Sequence, residues 1–551
     1  MKKFLHTVLL LLFIAALTGV SLMGYRHFQF HRALDAYEAA MRSAQSEQAR
    51  QSLVLLKKFG PDKKETLQAE ARWSATLYPW HALSIWSTYL LSFPEDQEAR
   101  VARTLVLLRL RLVKQARQEV DAWPSASRDQ SAFLRSSLAV NFAENRLDHA
   151  REFAQRLSTL EPLNDLHTLN LAKINLLDGT AIREVQIDGQ KKLESFLSHP
   201  THRAHALQAL LQWHLATKQY SSIEALANQM DRLGDLTLDE SLIMLDARVQ
   251  AGGQPSLDRV RFLWKQSAAH PSDRALLAGW MVRHQYASHL VDWARAELKP
   301  EDWVYPLGLP LAEAHLEVSD PLPALSFLRK SNWHQMDYLR LFILARLMTG
   351  SSQEEPFLRE SIQVAARQPG GWEHLEYVAS SWRWRFGQMY ILRYGAGTLP
   401  LDSVSMSRVM TGLQQLGDAE GLWIGSVRYS DAHPDDPIAL NNRAYLSMIL
   451  DKDSRVSLDM ARRAHQKLPT SRSIQTTRLM AEALHGDLLI AQSLLAELQS
   501  SQDPVLMLAR VIVAHRLTDP LDPQLLRDLQ SAHFDLDQEN TLKSKWLNKV
   551  D

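Results

Sequence analysis

The sequence feature that most constrains the fold is a pattern that recurs with a 34-residue period. Ala82, Ala116 and Ala150 follow one another at intervals of 34, and each is followed by further residues of the pattern four and seven positions later. These residues are Trp86, Val120 and Ala154 at the first position, and Tyr89, Trp123 and Leu157 at the second. Positions spaced in this way share one face of an α-helix, so each copy predicts a buried helical face. A unit of this size cannot bury that face alone, so neighbouring units must stack.

Turn and helix-ending residues follow the same spacing. Pro94 and Pro162 lie twelve residues after the first and third alanines, where a proline would end one helix and open the next unit. Arg128 takes that position in the middle copy. Asn145 and Gly179 are separated by the same interval of 34 and lie at the expected turn inside each hairpin. Both residue types tolerate a left-handed backbone.

A second set of repeats follows near the C-terminal end, in a phase of its own. A Gly417-Asp418 turn precedes the string Ala-Leu-Asn-Asn-Arg-Ala-Tyr at residues 439–445, and a further unit runs through Gly486-Asp487 to Pro504. An opening helix, a Gly-Asp turn, a second helix with small and then large apolar positions, and a closing proline together resemble the tetratricopeptide repeat. The string is similar to the opening of bacterial members of that family, with Arg443 in place of an apolar residue.

The resemblance implies an all-α fold, a TPR-like α-solenoid of stacked helical hairpins. We predict N-terminal repeats over residues 31–300, irregular helical repeats over 301–402 and C-terminal repeats over 403–551, with a change of curvature near 300–323. Leu542, Trp546 and Leu547, set among lysines, predict a capping helix over residues 540–550 that shields the last repeat.

Residues 1–30 predict a membrane anchor. Residues 4–25 carry no formal charge, and about 20 apolar residues in a helix span a bilayer core. A cleaved signal peptide is the competing interpretation, with Gly19 and Ser21 as the small residues before the cut. The apolar run continues past them, and Arg26 and Arg32 follow as a basic flank, which favours an uncleaved transmembrane helix. We expect a single-pass protein of a bacterial inner membrane, with its bulk in the periplasm.

Composition excludes several functions. Lys plus Arg and Asp plus Glu are both 62, so the chain lacks the positive field that nucleic-acid binding requires. The absence of cysteine excludes disulfides, thiolate metal sites and a thiol nucleophile. The sequence holds no glycine-rich phosphate loop and no hydrolase signature, and we predict no catalytic residue and no cofactor. His199, His202, His205 and His214 form a histidine group, but without a carboxylate to complete it we predict no metal site.

The resemblance also implies where partner proteins bind. In tetratricopeptide arrays the first helix of each hairpin lines the binding groove. The matching positions in this chain are Arg135, Phe142, Lys173, Leu176, Asn441, Tyr445 and Met448. The register is open by one or two residues, so core packing between helices is an equal alternative for Leu176 and Met448. The clamp that some members use for a terminal carboxylate is not assembled in this sequence.

An unusual string, Trp382-Arg383-Trp384, is a further candidate contact surface. Alternating tryptophan and arginine could stack on a peptide or a glycan. The alternative is that one tryptophan packs between helices while the arginine reaches water.

These observations favour a membrane-anchored scaffold that mediates protein–protein interactions in a cell-envelope assembly or export system. Its partners are proteins that the sequence does not identify. A second hypothesis is a helical-repeat glycan-binding protein or enzyme that uses the tryptophan–arginine string with Glu373 or Glu376. A third is a cytoplasmic-facing adaptor of a membrane protease, which would require the opposite membrane orientation.

Overall fold

The computed structural model describes residues 24–41, 46–61, 63–77, 79–199, 201–232, 236–269, 271–368, 370–401, 404–498 and 503–550. Within these ranges all regular structure is helical and no strand occurs, which confirms the predicted all-α fold. Contacts between residues divide the chain into two compact units, Met1–Glu373 (unit 1) and His374–Asp551 (unit 2). This division falls inside the segment predicted as irregular repeats, residues 301–402.

Unit 1 consists of helices joined by short connections. The helices are α1 (24–41), α2 (Ser46–Phe59), α3 (Lys64–Leu77), α4 (Pro79–Ser92), α5 (Gln97–Arg109), α6 (Val113–Asp121), α7 (Ser131–Ala143), α8 (Leu147–Leu160), α9 (Asp165–Leu177), α10 (Arg183–Phe196), α11 (Arg203–Ala216), α12 (Tyr220–Asp231), α13 (Leu238–Gln250), α14 (Leu257–Gln266), α15 (Pro271–Arg283), α16 (Ala287–Glu297), α17 (Gly308–Glu317), α18 (Pro321–Lys330), α19 (Asp337–Leu347) and α20 (Glu354–Ala365). A further helix, α21 (Gly371–Ser381), spans the division between the units.

The 34-residue period sets the helix boundaries of unit 1. The first residues of α4, α6 and α8 are 34 positions apart, and so are those of α5, α7 and α9. Every member of the predicted stripe is buried, and none of the nine side chains is more than 3% exposed. The predicted buried face of the second helix is therefore confirmed, because these residues fill the interface between neighbouring hairpins.

The odd-numbered helices of unit 1 form a row. Contacts join α5 to α7, α9 to α11, α11 to α13, α13 to α15, α15 to α17 and α17 to α19. The even-numbered helices pack beside them as the second members of the hairpins, as α8 does against α7 and α10 against α9. Each apolar face is thus covered by the next hairpin, as the sequence predicts for stacked repeats.

Ion pairs reinforce this repeat at a second set of equivalent positions. The Nη2 atom of Arg117 in α6 lies 2.5 Å from Glu144, at the end of α7, and also donates to Asn141. In the next repeat, Arg151 in α8 makes the equivalent ion pair with Asp178, at the end of α9. Each arginine therefore joins the second helix of one hairpin to the first helix of the next.

The turns agree with the predictions in part. Asn145 adopts the predicted left-handed backbone, with a φ of 58°, and Gly417, which was predicted only as a turn residue, also has a positive φ of 68°. The prediction of a left-handed residue at Gly179 is wrong, since its φ is not positive. The carboxylate of Asp178 instead accepts a hydrogen bond of 2.8 Å from the Thr180 amide and another from its hydroxyl, and these bonds shape the turn.

A close approach within unit 1 joins residues far apart in the sequence. Gly370 has a φ of +70°, and a Cβ atom at this position would overlap the carbonyl oxygen of Trp80, at the start of α4. Only glycine fits there, because it lacks a Cβ atom and tolerates a positive φ.

Unit 2 continues the helical-hairpin pattern. Its helices are α22 (Arg385–Thr398), α23 (Val404–Gln415), α24 (Ala419–Ala432), α25 (Pro437–Ile449), α26 (Ser454–Lys467), α27 (Arg472–His485), α28 (Leu488–Glu497), α29 (Pro504–Leu517), α30 (Pro523–Ser531) and α31 (Asp537–Val550). Aspartate side chains accept hydrogen bonds from the first backbone amides of several of these helices, which explains where they start. These caps are Asp436, Asp453, Asp487, Asp503 and Asp522.

Helix α31 occupies the position of the predicted capping helix. It packs against α29 and α30 of the last hairpin, and Trp546 is 7% exposed in the same core. Contacts also join α31 to α25, two hairpins back. This second set of contacts was not predicted.

The predicted transmembrane segment falls largely outside the described residues, since residues 1–23 are not among them. Among the residues that are described, no helix is long and apolar enough to cross a membrane. Helix α1 belongs to the packed array, because Phe30 and Tyr37 are 1% and 2% exposed against residues of α2 and α3. The array thus starts at or before residue 30, the predicted end of the anchor.

Candidate partner-binding surface

In unit 1, exposed and half-buried residues at repeat-equivalent positions mark a candidate surface on the first helices α5, α7 and α9. In α5, Glu98, Leu105 and Arg109 are exposed and spaced as one helical face. Two residues of α7 and α9, Ala139 and Lys173, follow Leu105 at intervals of 34 and are half-buried. We call the surface around Leu105, Ala139 and Lys173 the first-helix face.

Lys173 is the most distinctive residue of this face. Its Nζ atom lies 4.3 Å from the centre of the Phe142 ring, which belongs to the preceding first helix. Within the described ranges, Lys173 forms no ion pair with a carboxylate, and its ammonium group donates no hydrogen bond. Burial lowers the pKa of Lys173, since the charged form loses hydration without gaining an opposite charge.

His205 lies on α11, the first helix that follows α9. Its pKa is lowered from 6.5, first by burial and then by the charge of Lys173, so its imidazole is neutral at pH 7. Phe142 and Lys173 bring an aromatic ring and an ammonium group together from two consecutive first helices. This arrangement can take a carboxylate together with an adjacent apolar group.

Arg135 lies on α7 beside this region but is already paired. Its guanidinium bonds to the carboxylate of Glu98 on α5, so the two charges cancel across neighbouring first helices. Of the predicted residues in unit 1, Phe142 and Lys173 contact each other. Arg135 instead forms an ion pair with Glu98.

Three predicted contact residues lie in the core, so their side chains cannot form a binding surface. Leu176, Met448 and Trp384 are 1%, 3% and 4% exposed. Leu176 packs among residues of α9 to α13, and Met448 packs among residues of α25 to α29. First helices touch neighbours on several sides, so only a narrow stripe of each remains open.

Asn441 and Tyr445 lie on α25 in unit 2, and both are enclosed. Asn441 is 6% exposed, and its side-chain oxygen has no hydrogen-bond partner among the described residues. The hydroxyl of Tyr445 donates to the carboxylate of Glu539, which belongs to α31. Burial, followed by the charge of Glu539, raises the pKa of Tyr445. The chain's own C-terminal helix therefore covers this predicted contact.

The tryptophan–arginine string forms the turn before α22. Trp384 packs tightly against Gly387, where a Cβ atom would overlap the indole ring, while Arg383 is exposed with a φ of 51°. Trp382 is half-buried. The string therefore does not present two tryptophans side by side.

The residues named for the enzyme and metal alternatives, apart from Glu373, contact other side chains of the same chain. The carboxylate of Glu376 lies 2.9 Å from Arg408, and Glu373 is half-buried. The rings of His199 and His202 stack with centres 4.9 Å apart, and His214 bonds to Gln219. In the described part of the chain, no three His, Asp or Glu residues are grouped as metal ligands.

Sequence reasoning missed Leu105 and Ala139 as parts of the first-helix face, and it did not relate His205 to Lys173. The first two could have been found, because they are the 34-residue equivalents of Lys173. His205 could not, because α9 begins at Asp165 and α11 at Arg203, an interval of 38 residues that departs from the 34-residue phase.

Comparisons with known proteins place few constraints on this chain. Neither models of protein families nor curated proteins match it. Among solved structures it is similar to one titled as the APC/C hetero-tetramer Cut9-Hcn1, with 11% identity over 96% of this chain and 98% of that one, at a TM-score of 0.25. It is also similar to Naa15/Naa10 bound to HypK-THB, with 12% identity over 95% and 79% of the chains, at a TM-score of 0.22.

Proposed function

We propose that this protein is a non-catalytic scaffold that binds partner proteins along the first-helix face of unit 1. The observation that carries the proposal is Lys173, a desolvated cation that contacts Phe142 and has no acidic partner among the described residues. An unpaired buried charge costs free energy, and a carboxylate from a partner would recover it. The partner segment therefore carries an Asp or Glu side chain next to an apolar one.

The proposed setting is the bacterial cell envelope. Residues 4–25 would anchor the chain in the inner membrane, and the helical array would extend into the periplasm as part of an assembly or export system. The support for this setting is the uncharged stretch in the sequence, with Arg26 and Arg32 behind it. A cytoplasmic-facing protease adaptor would use the same array from the other side of the membrane.

A pull-down tests the binding surface. The full chain is purified in detergent from membranes as wild type, as Lys173→Met and as Lys191→Met. Lys191 is an exposed lysine of α10, outside the first-helix face, and serves as the matched control. We expect the same partner proteins with wild type and with Lys191→Met, and their loss with Lys173→Met. Equal recovery with all three would contradict the proposed surface.

A topology reporter tests the setting. A fusion after Asp551 that is active only in the periplasm should report activity, and the protein should fractionate with inner membranes. Activity of a cytoplasm-specific reporter would instead support the adaptor orientation. Recovery of the chain from the soluble fraction alone would contradict the anchor.

A further inference from the structure

Unit 2 differs from unit 1 in that its own C-terminal segment covers its first helices. The segment, residues 532–550, comprises an irregular stretch followed by α31. A helix that only caps the last hairpin needs to touch α29 and α30, yet this segment also reaches α25 and the turn before α24. The part that reaches back lies at residues 534–542.

The contacts of this part resemble those of a bound peptide. The side chain of Leu536 is 6% exposed and packs among Ala419, Leu446 and Ile449 of α24 and α25. One turn later, one carboxylate oxygen of Glu539 accepts the bond from the Tyr445 hydroxyl. Its other oxygen accepts a hydrogen bond of 2.9 Å from the Leu536 amide, which fixes the two side chains relative to each other.

The backbone of the segment is held closely at the turn before α24. Gly417 has a positive φ, and a Cβ atom there would lie 3.2 Å from the carbonyl oxygen of Asp535. The segment is also tied internally, because Asn540 donates to the Phe534 carbonyl at 3.1 Å and Lys543 donates to the Ala532 carbonyl at 2.8 Å. These internal bonds let the segment keep its shape as one piece.

We propose that residues 532–550 act as a tethered ligand on unit 2, and that the surface beneath them binds a partner peptide with a leucine followed three residues later by a glutamate. The apolar pocket for Leu536 selects the leucine, and the Tyr445 hydroxyl selects the glutamate. The partner peptide gains access when the chain's own segment is displaced. This inference concerns unit 2 and does not depend on Lys173 or on the function proposed for unit 1.

Binding of a labelled synthetic peptide with the sequence of residues 532–550 to the full chain tests this inference. Three chains are compared: wild type, a release variant with Leu536→Asp and Glu539→Gln, and the release variant that also carries Tyr445→Phe. In wild type the tethered segment competes at high effective concentration, so the peptide should bind at least about tenfold more weakly than to the release variant. In the release variant, the added Tyr445→Phe substitution should weaken peptide binding. A peptide that itself carries Leu536→Asp and Glu539→Gln should not bind to the release variant.

The opposite results would overturn the inference. One is a release variant with unchanged helical content that binds the peptide no better than wild type. If the release variant fails to fold, amide hydrogen exchange on the wild-type chain still tests the inference. The backbone amides of residues 532–550 should exchange faster than those of α29 if the segment detaches as one piece. Exchange of both at the same rate would show that the segment is an integral part of the core.

Discussion

The ammonium group of Lys173 lies 4.3 Å from the centre of the Phe142 ring and has no acidic partner among the described residues. The contact joins consecutive first helices across the face on which a partner would lie. It stabilises the cation only in part, because the quadrupole of one ring does not replace the lost hydration. In the free protein, Lys173 therefore carries a desolvation cost that is only partly offset.

Replacing Lys173 with methionine should stabilise the free protein by about 1 kcal/mol, because it removes a desolvated charge and keeps the apolar volume. The pKa of Lys173 is lowered from 10.5, so the penalty is fully present below the folded-state pKa and is relieved as the pH rises through it. Urea unfolding at neutral pH and at pH 10 measures this. The advantage of Lys173→Met should shrink at pH 10, and Lys191→Met should show none at either pH.

The ion pair between Arg151 and Asp178 should stabilise the junction between two hairpins. The Asp178 side chain is 4% exposed, so Arg151→Met should cost about 1.5–3 kcal/mol in unfolding experiments. Burial opposes ionisation of Asp178, but hydrogen bonds from Thr180 and Arg151 outweigh it and hold its pKa below 3.8. Since that pKa is depressed, the contribution is present above pH 3.8 and is lost as the pH falls through the folded-state value. Arg156→Met, which breaks an exposed pair in the same helix, should change stability little.

Gly370→Ala tests the approach of Trp80 to Gly370. The positive φ alone costs about 1–2 kcal/mol for alanine, and its Cβ atom would also collide with the Trp80 carbonyl oxygen. Gly350 has a φ of +81° and no atom within 4 Å of its Cβ position, so Gly350→Ala carries only the backbone cost. In thermal unfolding, the melting temperature of Gly370→Ala should therefore be clearly lower than that of Gly350→Ala. Equal melting temperatures would show that the two segments do not meet in solution.

Glu482 should be a main acid-sensitive group of unit 2. Its side chain is 0% exposed, and Arg462 donates two hydrogen bonds to it at 2.8 Å. Burial opposes its ionisation, but the bonds from Arg462 and the Asp487 amide lower its pKa below 4.5. Glu482→Gln should thus destabilise unit 2 by about 2 kcal/mol above pH 4.5, and the difference should disappear as the pH falls. The exposed Glu497→Gln serves as the control, and an equal loss in both would contradict a specific role for Glu482.

The architecture could be predicted from the sequence because each repeat carries the same pattern of residues that must be buried between helices. Ala82, Ala116 and Ala150 occupy equivalent positions in α4, α6 and α8, and all three are fully buried. The exposed stripe of the first helices was harder to place. Lys173 and Leu176 are only three residues apart on α9, yet one is half-buried at the surface and the other lies in the core. An error of a few residues in the predicted register therefore assigns a core residue to the surface.

The covering of unit 2 could not be predicted from the repeat pattern. Tyr445 and Glu539 are 94 residues apart, and no local rule connects them. Their contact requires α31 to pack against α25, and the position of α31 is set by its packing against several helices at once. Leu542, Trp546 and Leu547 predicted a helix at this position but not the hairpins that it reaches.

Selection of random twelve-residue peptides displayed on phage, with the full chain as bait, tests the central claim most directly. The selection is run on wild type, Lys173→Met and Lys191→Met. Because Lys173 lacks an acidic partner among the described residues, wild type and Lys191→Met should both enrich peptides with Asp or Glu beside an apolar residue, and Lys173→Met should lose that enrichment. The same peptides selected by all three chains, or no acidic enrichment with wild type, would contradict a partner-binding role for the first-helix face.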